Sequence, residues 1–335
     1  MGIKERSFAL AELGSEMVSC SRRRISNVQL FATNKCNSKC NICSIWSETP
    51  KTDIDLGIVR DILKAKSIEK NALYGLVGGE FILHEKAEEI IGLFNKERKR
   101  YVLFSNCILT DRLIKIVKEQ NVPSLMISLD GDRETYRRVR GVDKYENVMR
   151  AIKELKGGTK ITITYVINSL NSRNDFIHVK NIAEKNRLGL CVVVYDRRAI
   201  FNTKLNEEKS YDLKGLYSSN YMDSYYRWKS GSLNLPCFSI RTLLTVMPNG
   251  DVPLCQQKNE ILGNLHERKL DDIWKAAAEK QDKNKDCNGC WVSCYRSFDN
   301  NACRLLNTVL PQFALDRLVG KYGWKNIGKI YGKNI

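Results

Sequence analysis

From residue 28 to 196 the sequence alternates short β-rich apolar runs with amphipathic stretches. The stretch with Ile54, Ile58 and Ile62 fits a helix capped by Thr52 or Asp53. Strands that alternate with helices pair in parallel through right-handed crossovers. We therefore predict an α/β fold, either an open sheet or a partial (β/α)6 TIM-type barrel. Six runs fit the strands: VQLFAT (28–33), ALYGLV (72–77), YVLFSN (101–106), SLMISL (124–129), KITITYVIN (160–168) and LCVVVY (190–195).

Cysteine, glycine and polar residues follow the first four runs directly. The first run leads into CNSKCNIC (36–43), the second into Gly78-Gly79-Glu80, the third ends at Asn106 and the fourth leads into Asp130-Gly131. In parallel α/β folds the functional residues lie at the carboxyl ends of the strands. We therefore expect these segments to converge on one site.

The composition and charge of the chain indicate its compartment and its possible partners. The first residues carry charges every few positions and no apolar signal segment, so we expect a cytoplasmic, reducing compartment, where clustered cysteines bind metal or do chemistry. No apolar run approaches the ~18 residues of a spanning helix, so no membrane span is expected. The net charge of +17 is scattered along the chain, which makes nucleic acid an unlikely partner.

Three cysteines, Cys36, Cys40 and Cys43, stand within eight positions without a fourth. A structural zinc site takes four ligands, so zinc would need a ligand from a distant part of the chain. A cubane iron-sulfur cluster is normally held by four thiolates. Three thiolates would leave one iron open to bind and activate a ligand, which indicates a reaction centre.

The C-x3-C-x2-C spacing after a first strand resembles the radical S-adenosylmethionine (radical SAM) enzymes. The resemblance implies a [4Fe-4S] cluster whose open iron is chelated by the amino and carboxylate groups of SAM. It also implies that an electron from the reduced cluster cleaves SAM to methionine and a 5'-deoxyadenosyl radical. That radical abstracts hydrogen from the substrate.

Two further segments resemble the family's SAM-binding stretches. Gly78-Gly79-Glu80 is similar to the stretch that receives the SAM ammonium, and SLDGDRETYRRVRG (128–141) to a signature whose serine and arginine contact SAM. An arginine gives a fork-like partner for the methionyl carboxylate, while Asp130 is expected to stabilise the turn and position the arginine. The sequence departs from the family pattern at Ile42, Phe81 and Cys107. The resemblance implies these cofactor-binding residues: Ile42, Gly78, Gly79, Glu80, Asn106, Ser128, Asp130 and Arg140.

A second cysteine set lies in the last third of the chain, at Cys237, Cys255, Cys287, Cys290, Cys294 and Cys303. This set resembles the SPASM/Twitch extension of radical SAM enzymes. This resemblance implies one auxiliary [4Fe-4S] cluster at least, and two complete clusters would need eight cysteines where six are present. The surplus Cys294 and Cys303 are alternative ligands or, with Cys107, candidate hydrogen-atom donors; the catalytic residues are otherwise unknown. A zinc knuckle is the alternative for the set. The expected ligands are Cys237, Cys255, Cys287 and Cys290.

Five segments are expected along the chain. Residues 1–27 form an N-terminal extension, 28–200 the partial barrel, 201–236 a connecting helical segment, 237–305 the cysteine-rich module and 306–335 a basic tail. In the connecting segment a helix is expected to pack an aromatic face on the core, through Tyr217, Tyr221 and Tyr225.

The favoured function is therefore a radical SAM enzyme that abstracts hydrogen from a peptide, a protein or a small polar metabolite. The expected outcome is oxidation, crosslinking or epimerisation, with a reducing protein such as a flavodoxin or ferredoxin as electron donor. The alternative is a zinc-stabilised nucleic-acid-binding protein that uses both cysteine groups and the positive charge for phosphate contact.

Overall fold

Seven strands in the described part of the chain form one parallel sheet, curled into a half-barrel with helices outside. The structure is a computed structural model and describes residues 19–297 apart from 204, 206–210, 236, 238, 259 and 285–286. Cys303 and the predicted basic tail lie outside the described residues. The strands are Ile25–Phe31 (β1), Ile68–Val77 (β2), Arg100–Ser105 (β3), Ser124–Ser128 (β4), Lys160–Ile167 (β5), Gly189–Val194 (β6) and Leu243–Val246 (β7). Their order across the sheet is β6-β5-β4-β3-β2-β1-β7.

The prediction of a partial α/β barrel is confirmed, and the six predicted runs supply β1 to β6. The seventh strand was not predicted, because residues from Cys237 onward were expected to form hairpin and loop. Leu243–Val246 instead pairs in parallel with β1, from Asn27 opposite Leu243 to Leu30 opposite Val246. All four of its residues are buried, and so short a run covered on both faces has no alternating pattern to reveal it.

The helices lie between the strands as the apolar spacing predicts. The first begins after Asp55, whose side chain accepts a hydrogen bond from the Gly57 backbone. The prediction of Thr52 or Asp53 as the cap was wrong, since the Asp53 carboxylate is bonded to Thr33 and Lys35. The helices are Leu56–Lys64 (α1), Ala87–Lys96 (α2), Thr110–Glu119 (α3), Arg133–Arg140 (α4), Tyr145–Leu155 (α5), Arg173–Asn186 (α6), Asn220–Lys229 (α7), Leu270–Ala276 (α8) and Ala278–Lys283 (α9).

The predicted connecting helix is present as α7. Tyr221 and Tyr225 are buried on the core as expected, whereas Tyr217 precedes the helix and packs its ring 5.7 Å from that of Phe176. The Tyr221 hydroxyl donates to the Trp291 carbonyl oxygen at 3.1 Å. This helix therefore joins the barrel to the cysteine-rich segment.

The cysteine-rich segment folds around a two-stranded antiparallel pair. Asp251–Pro253 (β8) and Ile261–Asn264 (β9) pair after a turn in which Gly250 has φ +82°. The predicted turn at Pro248, Asn249 and Gly250 is thus confirmed. None of the helices described here is long and apolar enough to cross a membrane.

Candidate functional site

A cavity of about 210 Å³ lies at the carboxyl edge of the parallel strands. The three N-terminal cysteines line it, together with the residues that follow β2, β3 and β4. The segments expected to converge therefore do so. The predicted residues on its wall are Cys36, Cys40, Cys43, Gly78, Gly79, Glu80, Asn106, Ser128 and Arg140.

The cysteine loop rests on the C-terminal end of α4. The Ser38 hydroxyl donates to the Arg140 carbonyl oxygen at 2.8 Å, and the Asn41 backbone N–H donates to the Val139 carbonyl oxygen at 2.9 Å. Gly141 adopts φ +68°, and a Cβ there would meet the Lys39 carbonyl oxygen at 2.1 Å. A side chain at position 141 would therefore push the loop away from the helix.

Gly79 brings the segment after β2 directly against the backbone of the cysteine loop. A Cβ on Gly79 would lie 2.2 Å from the Lys35 carbonyl oxygen and 2.9 Å from Cβ of Cys36. The Glu80 backbone N–H donates to the same Lys35 oxygen at 2.8 Å. The glycine is thus required for the approach of two protein segments, in addition to any approach to a cofactor.

The Glu80 carboxylate is engaged within the protein. Its oxygens accept hydrogen bonds from the Ser105 hydroxyl at 2.8 Å and from the Asn106 backbone N–H at 2.7 Å. Burial raises the pKa of Glu80 to about 7, although these bonds act to lower it. Glu80 thereby holds the loop after β3 at the cavity wall.

Arg140 presents a buried positive charge to the cavity. Its Nη2 lies 2.5 Å from Oδ2 of Asp130, which is fully buried, and Asp130 Oδ1 accepts from the Val166 backbone N–H. Burial acts to lower the pKa of Arg140, but Asp130 and Cys40 raise it above its ordinary value. The Nε atom of Arg140 is buried and has no hydrogen-bond partner among the described residues. Because Arg140 lines the cavity, an anionic group bound there would have its guanidinium as a partner.

Three predicted residues lie off the cavity wall. Ile42 packs in a small apolar cluster with Cys40 and Val139, and Asp130 lies behind Arg140 as expected. Cys107 is fully buried in the main core, and burial raises the pKa of its thiol, so it does not face the cavity. Trp46 was missed by sequence reasoning: it lines the cavity and its indole N–H donates to the Cys40 carbonyl oxygen at 3.3 Å. An aromatic residue shortly after Cys43 was the available signal.

Burial also acts on the thiols of the first set. It raises the pKa of Cys36 to about 12 and that of Cys43 to about 11. A metal that binds thiolate would have to displace these protons. No three Cys, His, Asp or Glu side chains in the described residues are arranged around one point as metal ligands. The fit to an iron-sulfur cluster therefore rests on the donor set and its placement on one wall.

The second cysteine set collects in one small apolar cluster. Cys237 is buried in it with Leu254 and Tyr295, and the other four described cysteines pack against it. The sequence left the position of Cys294 open, and the structure places it in this cluster. Its thiol donates to Gln256 Oε1 at 3.7 Å. Burial raises the pKa of Cys294 to about 12. The four packed cysteines are Cys255, Cys287, Cys290 and Cys294.

Two family models match the segments that contain the two cysteine sets. Residues 30–179 match the Radical SAM superfamily, and residues 237–295 match SPASM, an iron-sulfur cluster-binding domain. The chain belongs to the radical SAM superfamily. As a radical SAM enzyme with a SPASM domain, it uses SAM and a [4Fe-4S] cluster, with auxiliary iron-sulfur clusters in the second domain. The predicted cofactors are thereby confirmed, and the zinc-stabilised nucleic-acid-binding alternative is set aside.

Curated relatives of this radical SAM chain carry the name GTP 3',8-cyclase. The protein from Pasteurella multocida is 26% identical over 172 residues, which cover 48% of this chain and 51% of that protein. The probable cyclase from Methanocaldococcus jannaschii is 27% identical over 149 residues, covering 42% and 48%. The chain thus spans about half the length of the curated relatives it matches.

Solved structures share the fold over more of the chain. Streptococcus suis SuiB bound to its precursor peptide SuiA superposes with a TM-score of 0.58 and 15% identity, covering 78% of this chain and 67% of SuiB. The structure of anSMEcpe with AdoMet and a Cp18Cys peptide gives a TM-score of 0.57 and 18% identity, covering 89% of this chain and 99% of anSMEcpe. At these identities the likeness establishes the fold.

Proposed function

We propose that this radical SAM enzyme abstracts hydrogen from a peptide side chain and completes a two-electron oxidation of it. The observation that carries the proposal is the cavity that gathers three cysteines, Gly79 and Arg140 at the carboxyl edge of the half-barrel. The coverage of nearly the whole peptide-bound anSMEcpe chain supports a peptide substrate. The cyclase names of the curated relatives support a second candidate, a small polar metabolite such as a nucleotide.

At the first site, Cys36, Cys40 and Cys43 are proposed to hold the cluster with one iron open to SAM. When bound, that cluster supplies the electron that cleaves SAM to methionine and a 5'-deoxyadenosyl radical. The Arg140 guanidinium is proposed to donate to the methionyl carboxylate, because Arg140 lines the cavity and its buried Nε has no partner in the described residues. The backbone after β2 is proposed to receive the SAM ammonium, since Gly79 lies on the same wall.

At the second site, four thiolates would leave an auxiliary cluster without an open iron, which suits electron transfer. The substrate would lose a hydrogen atom to the 5'-deoxyadenosyl radical, giving 5'-deoxyadenosine. Loss of a proton to solvent and of one electron to the auxiliary site would then complete the two-electron oxidation. The proposed ligands are Cys237, Cys255, Cys287 and Cys290, with Cys294 as an alternative.

Epimerisation would need a hydrogen-atom donor that reaches the substrate. Cys107 is fully buried in the core, and Cys294 lies in the auxiliary cysteine cluster, where Gln256 accepts from its thiol. Neither placement favours a donor at the cavity, so oxidation is preferred to epimerisation. Cys303 lies outside the described residues.

The test is an anaerobic incubation of the reconstituted protein with SAM and reduced flavodoxin, followed by measurement of 5'-deoxyadenosine and mass spectrometry of added peptides. A protein with about eight irons per chain is expected. Replacing Cys36, Cys40 and Cys43 together with alanine should abolish 5'-deoxyadenosine. The Cys255→Ala variant should keep SAM cleavage and lose the oxidised product.

Parallel incubations with peptide and with GTP separate the two candidate substrates. Loss of two hydrogens (2 Da) from a peptide supports the proposal, since that is the mass of a two-electron oxidation. Conversion of GTP, with every peptide unchanged, would replace it with the second candidate. Equal loss of 5'-deoxyadenosine and product in Cys255→Ala would contradict the division of labour between the sites.

A further inference from the structure

The loop after β6 contains a buried carboxylate paired with an arginine. Arg198 Nε donates to Oδ1 of Asp196 at 2.8 Å and Nη2 donates to Oδ2 at 2.9 Å. This is the two-pronged geometry that makes an arginine–carboxylate pair strong and directional. The Asp196 side chain is 5% exposed, whereas that of Arg198 is 45% exposed. The pair is therefore anchored on the inside and open to solvent on the outside.

The Asp196–Arg198 pair forms hydrogen bonds with the backbone on both sides of Cys290. Asp196 Oδ2 accepts a hydrogen bond from the Trp291 backbone N–H at 2.9 Å. Arg198 Nη1 donates to the carbonyl oxygen of Gly289. Both peptide groups that flank Cys290 are thus held by one ion pair from the barrel.

The adjoining residue of the same turn is held as well. The Trp228 indole N–H in α7 donates to the Asn288 carbonyl oxygen at 3.1 Å. The Arg198 guanidinium carbon lies 5.9 Å from the centroid of the Trp228 ring, within cation–π range. The guanidinium therefore contacts the ion-pair partner, the cysteine turn and the connecting helix together.

The other end of this loop contacts the first cysteine loop. The Phe201 carbonyl oxygen accepts from the Ser44 backbone N–H at 2.5 Å and from the Ser44 hydroxyl at 3.0 Å. The Thr203 hydroxyl donates to the Asn41 carbonyl oxygen at 2.5 Å. Residues 196–203 thus span the space between the two sets of cysteines.

We propose that Asp196 and Arg198 are positioning residues that fix Cys290 as a ligand of the auxiliary cluster. This inference rests on the proposed function, in which Cys290 is a ligand. Replacing a group that orients a metal ligand from outside the coordination sphere typically costs about 10- to 100-fold in metal affinity or activity. Because the same loop also bonds to the first cysteine loop, this clamp would hold the turn around Cys290 at a fixed distance from the first cysteine set.

The test uses the full chain with Cys36, Cys40 and Cys43 changed to alanine, so that only the auxiliary site binds iron. In this background Asp196→Asn and Arg198→Lys are compared with Arg150→Lys, which removes a guanidinium from an exposed pair with Asp111. The measurements are iron retention against a chelator, the midpoint potential and the EPR line shape. We expect the first two variants to lose iron about 10-fold faster and to give a shifted potential and a broadened signal.

Arg150→Lys should leave all three measurements unchanged. If Asp196→Asn and Arg198→Lys both keep the midpoint potential, EPR line shape and iron retention of the parent, the proposed positioning role is refuted. If Asp196→Asn does not fold, Arg198→Lys decides alone, because its side chain is 45% exposed and tolerates replacement.

A separate variant distinguishes failure of the proposed function from failure of the positioning role. If Cys255→Ala leaves the auxiliary signal intact, then the proposed ligand set fails, whatever the clamp variants do. Failure to find a substrate leaves the clamp measurements valid, because none of them needs a substrate.

Discussion

Replacing Gly79 with alanine should disrupt the first cysteine loop specifically. The new Cβ would lie 2.2 Å from the Lys35 carbonyl oxygen and 2.7 Å from its carbonyl carbon. Both are backbone atoms, so no side-chain rotation relieves the overlap, and the segments must separate by about 1 Å to reach an ordinary contact. The Gly79 N–H bond to Thr33 and the Glu80 N–H bond to Lys35, at 2.7 and 2.8 Å, resist that movement.

Overpacking of this kind costs about 1–3 kcal/mol, and more where the backbone is fixed on both sides. We expect Gly79→Ala to lower the free energy of unfolding of the apo-protein by at least that amount and to bind less iron at the first site. The assay is urea unfolding, with EPR of the reduced protein before and after addition of SAM.

Gly92→Ala is the matched control. Gly92 lies inside α2, where a Cβ would meet only Gln120 Oε1, at 3.9 Å. Alanine there should be neutral or stabilise the helix by roughly 0.5–1 kcal/mol. If Gly79→Ala matches the wild type in unfolding, iron content and response to SAM, the reasoning about the close approach is refuted.

Three further predictions follow from single contacts. Arg140→Lys keeps the charge but loses the fork, so the dissociation constant for SAM, measured by EPR titration, should rise about tenfold or more; an unchanged constant would rule out the assigned contact. Phe94→Ala should lower the free energy of unfolding in urea by about 3–5 kcal/mol, because this buried ring packs against those of Tyr74 and Tyr101, with centroids 5.0 and 5.6 Å away. A loss below ~1 kcal/mol would contradict this prediction. Asp271 accepts from the Ser67 and Lys66 backbone N–H groups at 2.7 and 3.1 Å; burial acts to raise its pKa, but these bonds hold it below the ordinary value. The carboxylate therefore adds to the free energy of unfolding above the ordinary pKa of Asp, and this gain is lost as pH falls through the pKa of the folded state. We expect Asp271→Asn to lower the free energy of unfolding by ~1 kcal/mol at pH 7 and to have no effect at acid pH. A difference between variant and wild type that stays constant across pH would disprove this.

The sequence predicted the parts of the fold that depend on local periodicity. Strands β1 to β6 follow from apolar runs separated by helical patterns, and their parallel order places the first cysteines beside Gly79. The cap of α1 was misassigned because Asp53 and Asp55 are chemically alike. Only tertiary contacts, from Asp53 to Thr33 and Lys35, decide which carboxylate is free to cap.

Contacts between distant residues could not be predicted from spacing. Asp196 and Trp291 are 95 positions apart, and Arg198 and Gly289 are 91 positions apart. Neither pair belongs to a motif that marks a metal site, so no residue of the loop after β6 was predicted as a site residue. The placement of Cys294 with the auxiliary cysteines likewise depends on packing around Tyr295 and Leu254.

Strand β7 has a practical consequence for dissecting this enzyme. Its pairing covers the outer side of β1, and the Thr242 carbonyl oxygen accepts from the Ser26 and Asn27 backbone N–H groups at 2.9 and 3.1 Å. A truncation that ends before residue 237 would remove β7 and leave β1 as an unpaired edge strand, which can pair with strands of other molecules. Studies of the SAM half in isolation would then report self-association, so point substitutions are the sounder way to separate the two centres.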